Sequence, residues 1–127
     1  MLQKLLLIGL AGGVGTLARY GLAGLVQRWS GPAFPWGTVV VNAVGCFAFG
    51  IVWALASERL ALSGEVRLIV LVGFMGAFTT FSTYIAETGE MLAESQWLLA
   101  SGNILMQNAV GLALFFTGVA IVRRVLV

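Results

Sequence analysis

Long apolar runs separated by short polar segments make up almost the whole chain. The runs cover residues 5–25, 37–56, 66–91 and 97–122. Each holds the ~20 residues that a helix needs to cross a hydrocarbon core about 30 Å thick. The pattern predicts an all-α membrane protein in which residues 1–127 form a single domain with four transmembrane helices.

Composition agrees with a bilayer location. Of 127 residues, 60% are hydrophobic and 9% are charged, whereas soluble domains average about 45–50% and about 25%. Histidine is absent and Cys46 is the single cysteine, interpreted as a packing residue within an apolar run. A net charge of +2 without a basic patch predicts no nucleic acid partner. We expect a multi-pass protein of the cell inner membrane or plasma membrane, in contact with lipid.

The sequence offers no sign of catalysis or of a removed leader. No nucleophile–base pair or phosphate loop is recognisable, so we predict that the protein is not an enzyme. The N-terminal run follows Lys4 as in a signal peptide, but it lacks a small-residue cleavage pattern and is predicted to be the first mature span.

Basic residues near the ends of the runs predict an orientation. Only Arg28 lies clearly on the side opposite the termini. The basic residues on the side of the termini are Lys4, Arg59, Arg67, Arg123 and Arg124. By the positive-inside rule, both termini are expected to face the cytoplasm.

Glycines provide the packing signal, because lipid gives helices no hydrophobic reason to associate and small residues allow close backbone approach. Those of the first, second and fourth runs that recur at spacings typical of shared helix faces are Gly9, Gly12, Gly13, Gly15, Gly21, Gly24, Gly45, Gly50, Gly111 and Gly118. Four spans form a thin bundle, so a polar pathway would need walls from more than one subunit. We therefore expect a homo-oligomer.

Residues 73–87 are the most informative segment. Two glycines, four serine or threonine hydroxyls, four aromatic rings and a carboxylate lie within an apolar run, although unsatisfied polar groups are costly in hydrocarbon. Gly73, Gly76 and the threonines weaken regular helix, which predicts a break midway through the third span. Carbonyls freed at a break suit a hard cation such as Na⁺, while amides and hydroxyls suit an anion.

Aromatic side chains in this segment recur every three residues, at Phe78, Phe81 and Tyr84. Such spacing usually reports packing, but the positive ring edges could also hold an anion in a dry site. The hydroxyl groups that could replace its hydration shell belong to Thr80, Ser82 and Thr83.

Three further polar residues within the runs each allow two interpretations. Asn42 either makes a helix–helix hydrogen bond or lines a pathway, and Thr38 four residues earlier on the same face favours the pathway. Arg19 either snorkels to the interface or attracts an anion or ties to a carbonyl or carboxylate, and we expect a structural role. Glu87 is either a solvated helix-end carboxylate or a group that gates or carries a proton near a pathway.

The fourth run carries amides at positions that share a helix face. Asn103, Gln107 and Gly111 are spaced four residues apart, which predicts a polar track rather than simple packing.

Several motifs together resemble one known family. They are Gly15-x-x-x-Arg19, Pro35-Trp-Gly-Thr-x-x-x-Asn42 and Gly73-x-x-Gly76-x-x-Thr79-Thr-Phe-Ser-Thr83 followed by Glu87. In this combination, and over essentially the whole chain, the sequence is similar to the Fluc (CrcB) family of small fluoride channels.

The resemblance implies an antiparallel, dual-topology homodimer that encloses two fluoride pores and passively releases cytoplasmic fluoride, which reduces fluoride toxicity. It also implies a structural Na⁺ at the dimer centre, held by the main-chain carbonyls of Gly76 and Thr79. Glu87 would be the carboxylate at the pore entrance. Combined with the residue-level interpretation, the predicted fluoride pathway comprises Thr38, Asn42, Phe81, Ser82, Thr83, Tyr84, Asn103 and Gln107.

The chain departs from the family pattern in three ways. Tyr84 stands where Phe is common, amides stand in the fourth span where Tyr or Ser is usual, and the basic residues favour one orientation over dual insertion. Two other functions remain open from the sequence. A proton-coupled four-span exporter would need an acid deep in the first span, where this chain has Arg19. A membrane scaffold subunit would use its polar residues only to join helices.

Overall fold

Four membrane-spanning helices make up the described part of the chain in a computed structural model. The structure describes residues 1–57 and 63–126, and for residue 126 it describes the backbone alone. Arg59, one of the basic residues used to predict the orientation, lies outside the described residues. The spans are α1 (Leu2–Ser30), α2 (Trp36–Ser57), a composite third span (Gly64–Ala93) and α6 (Trp97–Leu126). All four are long and apolar enough to cross a membrane, and they contain the four predicted runs.

Short connections make successive spans run in opposite directions. The first connection contains both prolines and is held by Gln27 near the end of α1. Its amide nitrogen donates to the carbonyls of Gly31 (2.6 Å) and Phe34 (2.9 Å). Its side-chain oxygen accepts from the Gly37 amide at 3.0 Å. One side chain thus satisfies three main-chain groups that the prolines and the turn leave without helical partners.

The third span is divided into four helical pieces and is bent, as the sequence predicts. It contains α3 (Gly64–Leu68), a π-helical segment (Ile69–Met75), α4 (Gly76–Phe78) and α5 (Phe81–Ala93). Between α4 and α5 the backbone is extended, with φ/ψ of −81°/157° at Thr79 and −146°/110° at Thr80. This extended pair is hereafter called the break.

Glycines allow the spans to approach closely. On α2, Gly50 lies against the Phe115 carbonyl of α6, and Gly118 of α6 lies against the Phe47 carbonyl of α2. The first span meets the π-helical segment in the same way, where Gly15 faces the Phe74 carbonyl. A side chain at any of these positions would force the backbones apart, so small residues set the interhelical distances.

The described part of the chain buries a small apolar core. Ala54, Val119 and Val122 are buried between α2 and α6, whereas large side chains such as Leu17 and Leu105 are about 70% exposed (72% and 70%). Exposed apolar surface of this kind is expected where a helix faces lipid tails or another subunit.

Candidate functional site

Asn42 of α2 is bonded to the break through both ends of its amide. Its Oδ1 accepts from the Thr80 main-chain N–H at 2.8 Å, and its Nδ2 donates to the Thr80 carbonyl at 3.0 Å. An extended residue inside a bilayer would otherwise have two unsatisfied main-chain groups. Asn42 satisfies both, as a neighbouring strand would do in a sheet.

The break removes helical donors from several carbonyls, among them those of Gly76 and Thr79. In a continuous helix the Thr80 amide would donate to the Gly76 carbonyl, but here it donates to Asn42. Likewise the Thr83 amide, the helical partner of the Thr79 carbonyl, donates to the Thr80 hydroxyl at 3.3 Å. Gly76 and Thr79 are the two residues whose carbonyls were predicted as Na⁺ ligands.

Thr80 also starts the second half of the span. Its hydroxyl lies 2.8 Å from the Thr83 hydroxyl in addition to capping the Thr83 amide. This N-cap contact satisfies one of the free amides at the start of α5. The Thr79 hydroxyl donates to the Met75 carbonyl at 3.0 Å. Two of the four hydroxyls of the run, those of Thr79 and Thr80, therefore bond to the local backbone.

Gln107 of α6 extends the network and ends it with a donor. Its Oε1 accepts from Asn42 Nδ2 at 3.0 Å. Because this bond fixes which end of the amide faces Asn42, the Nε2 group points elsewhere. That nitrogen is buried and has no hydrogen-bond partner in the described chain.

An apolar cavity of about 490 Å³ lies beside this network. Phe81 and Tyr84 form part of its wall and meet edge-on, with ring centroids 5.5 Å apart and planes at 63°. No carboxylate belongs to its lining within the described chain. The residues that line the cavity are Asn42, Gly45, Cys46, Phe49, Thr79, Thr80, Phe81, Tyr84, Gln107, Asn108, Gly111, Leu112 and Phe115.

A second, more polar cavity of about 440 Å³ lies between the first connection and the end of α5. Glu87 lines it and accepts a 2.6 Å hydrogen bond from the Thr38 hydroxyl, while its other carboxylate oxygen is buried without a partner in the described chain. Thr38 and Asn42 are one turn apart on α2. A polar strip from Glu87 through Thr38 and Asn42 to Gln107 therefore runs from one cavity to the other.

The remaining predicted residues lie outside both cavity walls. Ser82 and Thr83 are exposed on the surface of the single chain. Asn103 is fully buried, donates to the Thr88 hydroxyl at 2.9 Å and has an unpartnered Oδ1 in the described chain. Arg19 is half-buried on α1 and makes no hydrogen bond or ion pair with the described chain, so the expected tie is not made within it.

Several cavity residues were not predicted as pathway residues. Cys46 was interpreted as packing, and Phe49 and Phe115 have nothing in the sequence that separates them from lipid-facing rings. A helical signal was available, because Thr38, Asn42, Cys46 and Phe49 recur at three- to four-residue spacing. The face could thus be extended from Asn42 along α2 by periodicity alone.

Comparison with known proteins gives a consistent result. A family model described as "CrcB-like protein, Camphor Resistance (CrcB)" matches residues 6–119. A protein of Nitrosococcus oceani named fluoride-specific ion channel FluC is 58% identical over 121 residues, 95% of this chain and 97% of its own. Relatives with the same name from Desulforapulum autotrophicum and Geobacter sulfurreducens are 50% and 40% identical over 98% and 97% of this chain, and over 100% and 99% of their own.

These relatives are named as ion channels, a class of protein that is not enzymatic. Four membrane-spanning helices and channel relatives matched over nearly their full length identify a multi-pass protein of the plasma membrane. The motifs of the first three spans, the bent third span and the family match lead to the same conclusion. The chain belongs to the CrcB-like family of the fluoride-specific ion channels.

Proposed function

We propose that this chain forms a fluoride-selective channel that passively releases cytoplasmic fluoride and so reduces its toxicity. The relatives' name supports the choice of ion. The observation that carries the proposal is the free, buried Nε2 donor of Gln107 beside a cavity whose described lining has no carboxylate.

The polarity of the hydrogen-bond network favours an anion over a cation. The Thr80 backbone orients Asn42, Asn42 orients Gln107, and the last free group is an N–H donor. A small anion that has lost water needs such donors and the positive edges of rings. The edge-on pair of Phe81 and Tyr84 supplies ring edges at the same wall.

The polar strip supports a route between the cavities. Fluoride would pass Thr38 and Asn42 before it reaches the aromatic pair. Glu87 is hydrogen-bonded at the entrance to this strip and not in the wall of the apolar cavity. A fixed negative charge there does not oppose the ion at the position where it is most dehydrated.

The main-chain oxygens at the break fit a structural Na⁺. The carbonyls of Gly76 and Thr79 have lost their helical donors, and carbonyl oxygens are suitable ligands for a hard cation in a membrane. When bound, the ion would supply positive charge that stabilises these oxygens. The chain itself holds the break open through Asn42 and Thr80.

An antiparallel, dual-topology homodimer would complete the site. Phe81 is 74% exposed in the single chain, and Gly76 beside the break is exposed as well. If the break faced lipid, its main-chain carbonyls would have no hydrogen-bond or ion partners. Contact with a second copy of the chain is the simplest way to shield them from lipid. Opposite insertion would place the basic end with Arg67 and Arg124 beside the acidic end with Glu90 and Glu94.

Flux measurements on purified protein test the proposal. Liposomes loaded with fluoride should release it when a K⁺ ionophore balances charge, whereas liposomes loaded with chloride should not. Release that requires a proton gradient would instead indicate the exporter. Absence of release from a monodisperse protein would indicate the scaffold.

Phe81→Ile tests the aromatic wall. We expect it to suppress fluoride release because it removes the ring edge, and to leave the dimer intact. Phe116→Ile is a matched control on a residue that is 62% exposed and outside the cavity lining. Equal flux from both variants would remove Phe81 from the pathway.

A further inference from the structure

Tyr84 offers more to the cavity than the edge of an aromatic ring. Its side chain is 7% exposed and lines the apolar cavity together with Asn108. The phenol group of a buried tyrosine normally has a polar partner, and this demand is strong inside a bilayer.

Among the described residues, the hydroxyl of Tyr84 acts only as an acceptor. Asn108 Nδ2 donates to it at 3.4 Å, and the same nitrogen donates to the Ile104 carbonyl at 2.8 Å, which fixes the Asn108 amide on α6. The phenolic hydrogen is donated to no residue of the described chain. A phenol has one hydrogen to donate, so the O–H donor of Tyr84 is not used within the described chain.

We infer that the Tyr84 hydroxyl donates a hydrogen bond directly to the permeating fluoride, with Asn108 as its positioning residue. The inference rests on the proposed function and adds a ligand to it. An O–H···anion bond is charge-assisted and about twice as strong as a neutral one. The bond accepted from Asn108 polarises the phenol and strengthens its donation. Fluoride is the strongest hydrogen-bond acceptor among the halides, so this donor favours it over chloride.

Two residues of the cavity lining thereby keep a donor that no residue of the described chain uses. Gln107 contributes a buried amide N–H from α6, and Tyr84 contributes a phenol O–H from α5. A phenylalanine at position 84 would keep the ring edge and lose the hydroxyl. The consequence is a measurable dependence of transport on one oxygen atom.

Flux from liposomes measures that dependence. We expect Tyr84→Phe to reduce fluoride release at low fluoride about tenfold, which corresponds to about 1.4 kcal/mol. Asn108→Leu should give a smaller loss, because the hydroxyl remains but is no longer positioned. Tyr20→Phe is the matched control, since Tyr20 lies on α1 and is 80% exposed. It should transport like the wild type.

A spectroscopic titration tests binding without transport. The chain has two tyrosines, so Tyr20→Phe leaves Tyr84 as the only phenol. The intensity ratio of the two lines of the tyrosine doublet in its Raman spectrum reports whether the hydroxyl donates or accepts a hydrogen bond. We expect NaF to change this intensity ratio toward the value of a donating hydroxyl, whereas NaCl at the same Na⁺ concentration should leave the ratio unchanged.

The outcomes are distinguishable. A wild type that releases no fluoride contradicts the proposed function. A wild type that releases fluoride, with Tyr84→Phe equal to it at every concentration, overturns the present inference alone. If Tyr84→Phe does not fold, the titration decides: a doublet unaffected by NaF overturns the inference, and a fluoride-specific shift supports it.

Discussion

Asn42 links the backbone of the third span to the side-chain amide oxygen of Gln107 in the fourth. Through one planar amide it accepts from the Thr80 N–H, donates to the Thr80 carbonyl and donates to Gln107. The two interpretations drawn from the sequence, a helix–helix bond and a pathway residue, are therefore compatible. It joins two spans and also lines the apolar cavity.

Gln107→Leu separates stability from transport at the residue scale. It removes the free buried donor, so we expect fluoride release from liposomes to fall at least tenfold. The free energy of unfolding should change by less than about 1 kcal/mol, because Asn42 keeps its Thr80 carbonyl partner while an unsatisfied amide disappears. SDS titration in bicelles measures the stability. Gln3→Leu, on the exposed first turn of α1 and outside both cavity linings, is the control. An active but strongly destabilised Gln107→Leu would reverse our interpretation.

At the scale of elements, the break depends on a glycine in the neighbouring helix. A Cβ at Gly45 of α2 would overlap the Thr79 Cγ2 atom and lie 3.4 Å from the Phe78 ring. The extended backbone at Thr79 thus fits only against a position without a side chain. Overpacking at such a point displaces one element relative to the other.

Gly45→Ala should consequently lower the free energy of unfolding by about 1–3 kcal/mol and impair transport. Gly102→Ala on α6 is the matched control, since a Cβ there meets nothing within 4 Å. It should stabilise its helix by about 0.5–1 kcal/mol. Thr79→Ser removes the clashing methyl group and should restore part of the loss in the double variant. No recovery would mean that Gly45 acts through other contacts.

Removal of Na⁺ tests the proposed use of the freed carbonyls. Exchange of Na⁺ for N-methylglucamine during purification should lower the melting temperature and the fluoride flux, because the oxygens of Gly76 and Thr79 lose their positive partner. Thr79→Ser should show the same Na⁺ dependence, since its carbonyl is retained. A melting temperature independent of Na⁺ would speak against the ion site.

At the scale of the whole molecule, charge differs between the two ends of the bundle, and polar backbone at the break is exposed on one side. The end with the termini carries more basic than acidic residues, and the opposite end carries more acidic than basic residues. The first holds Lys4, Arg67 and Arg124 with Glu65, and the second holds Glu90 and Glu94 with Arg28. The break, with Phe81 and Gly76, is exposed on the single chain. An antiparallel copy would offset the charge and cover the break together, although the basic residues alone favour one orientation.

Tandem fusions distinguish the arrangements. Two copies joined by a linker that itself crosses the membrane once should release fluoride, because the second copy then inserts in the opposite sense. The same copies joined by a soluble linker should be inactive, since both would be forced into one orientation. Activity restricted to the soluble-linker fusion would exclude the antiparallel homodimer.

The sequence by itself was sufficient for the number of spans and for the break in the third span. The length of a hydrophobic run determines whether a helix can cross the bilayer. Glycines and a run of hydroxyl residues weaken that helix locally. The spans and the break therefore both depend on residues that are neighbours in the sequence. The same local logic placed Asn42, Phe81, Tyr84 and Gln107, which the structure brings to one cavity.

Only the tertiary structure decided which polar atoms remain free. The spacing of Asn103 and Gln107 on one helix face predicts a single polar track, but Asn103 donates to Thr88 while Gln107 accepts from Asn42. A hydrogen-bond partner on another span depends on how the helices are rotated and how closely they approach. Those quantities are set by contacts between distant glycines and carbonyls, which the order of residues along a single helix does not contain.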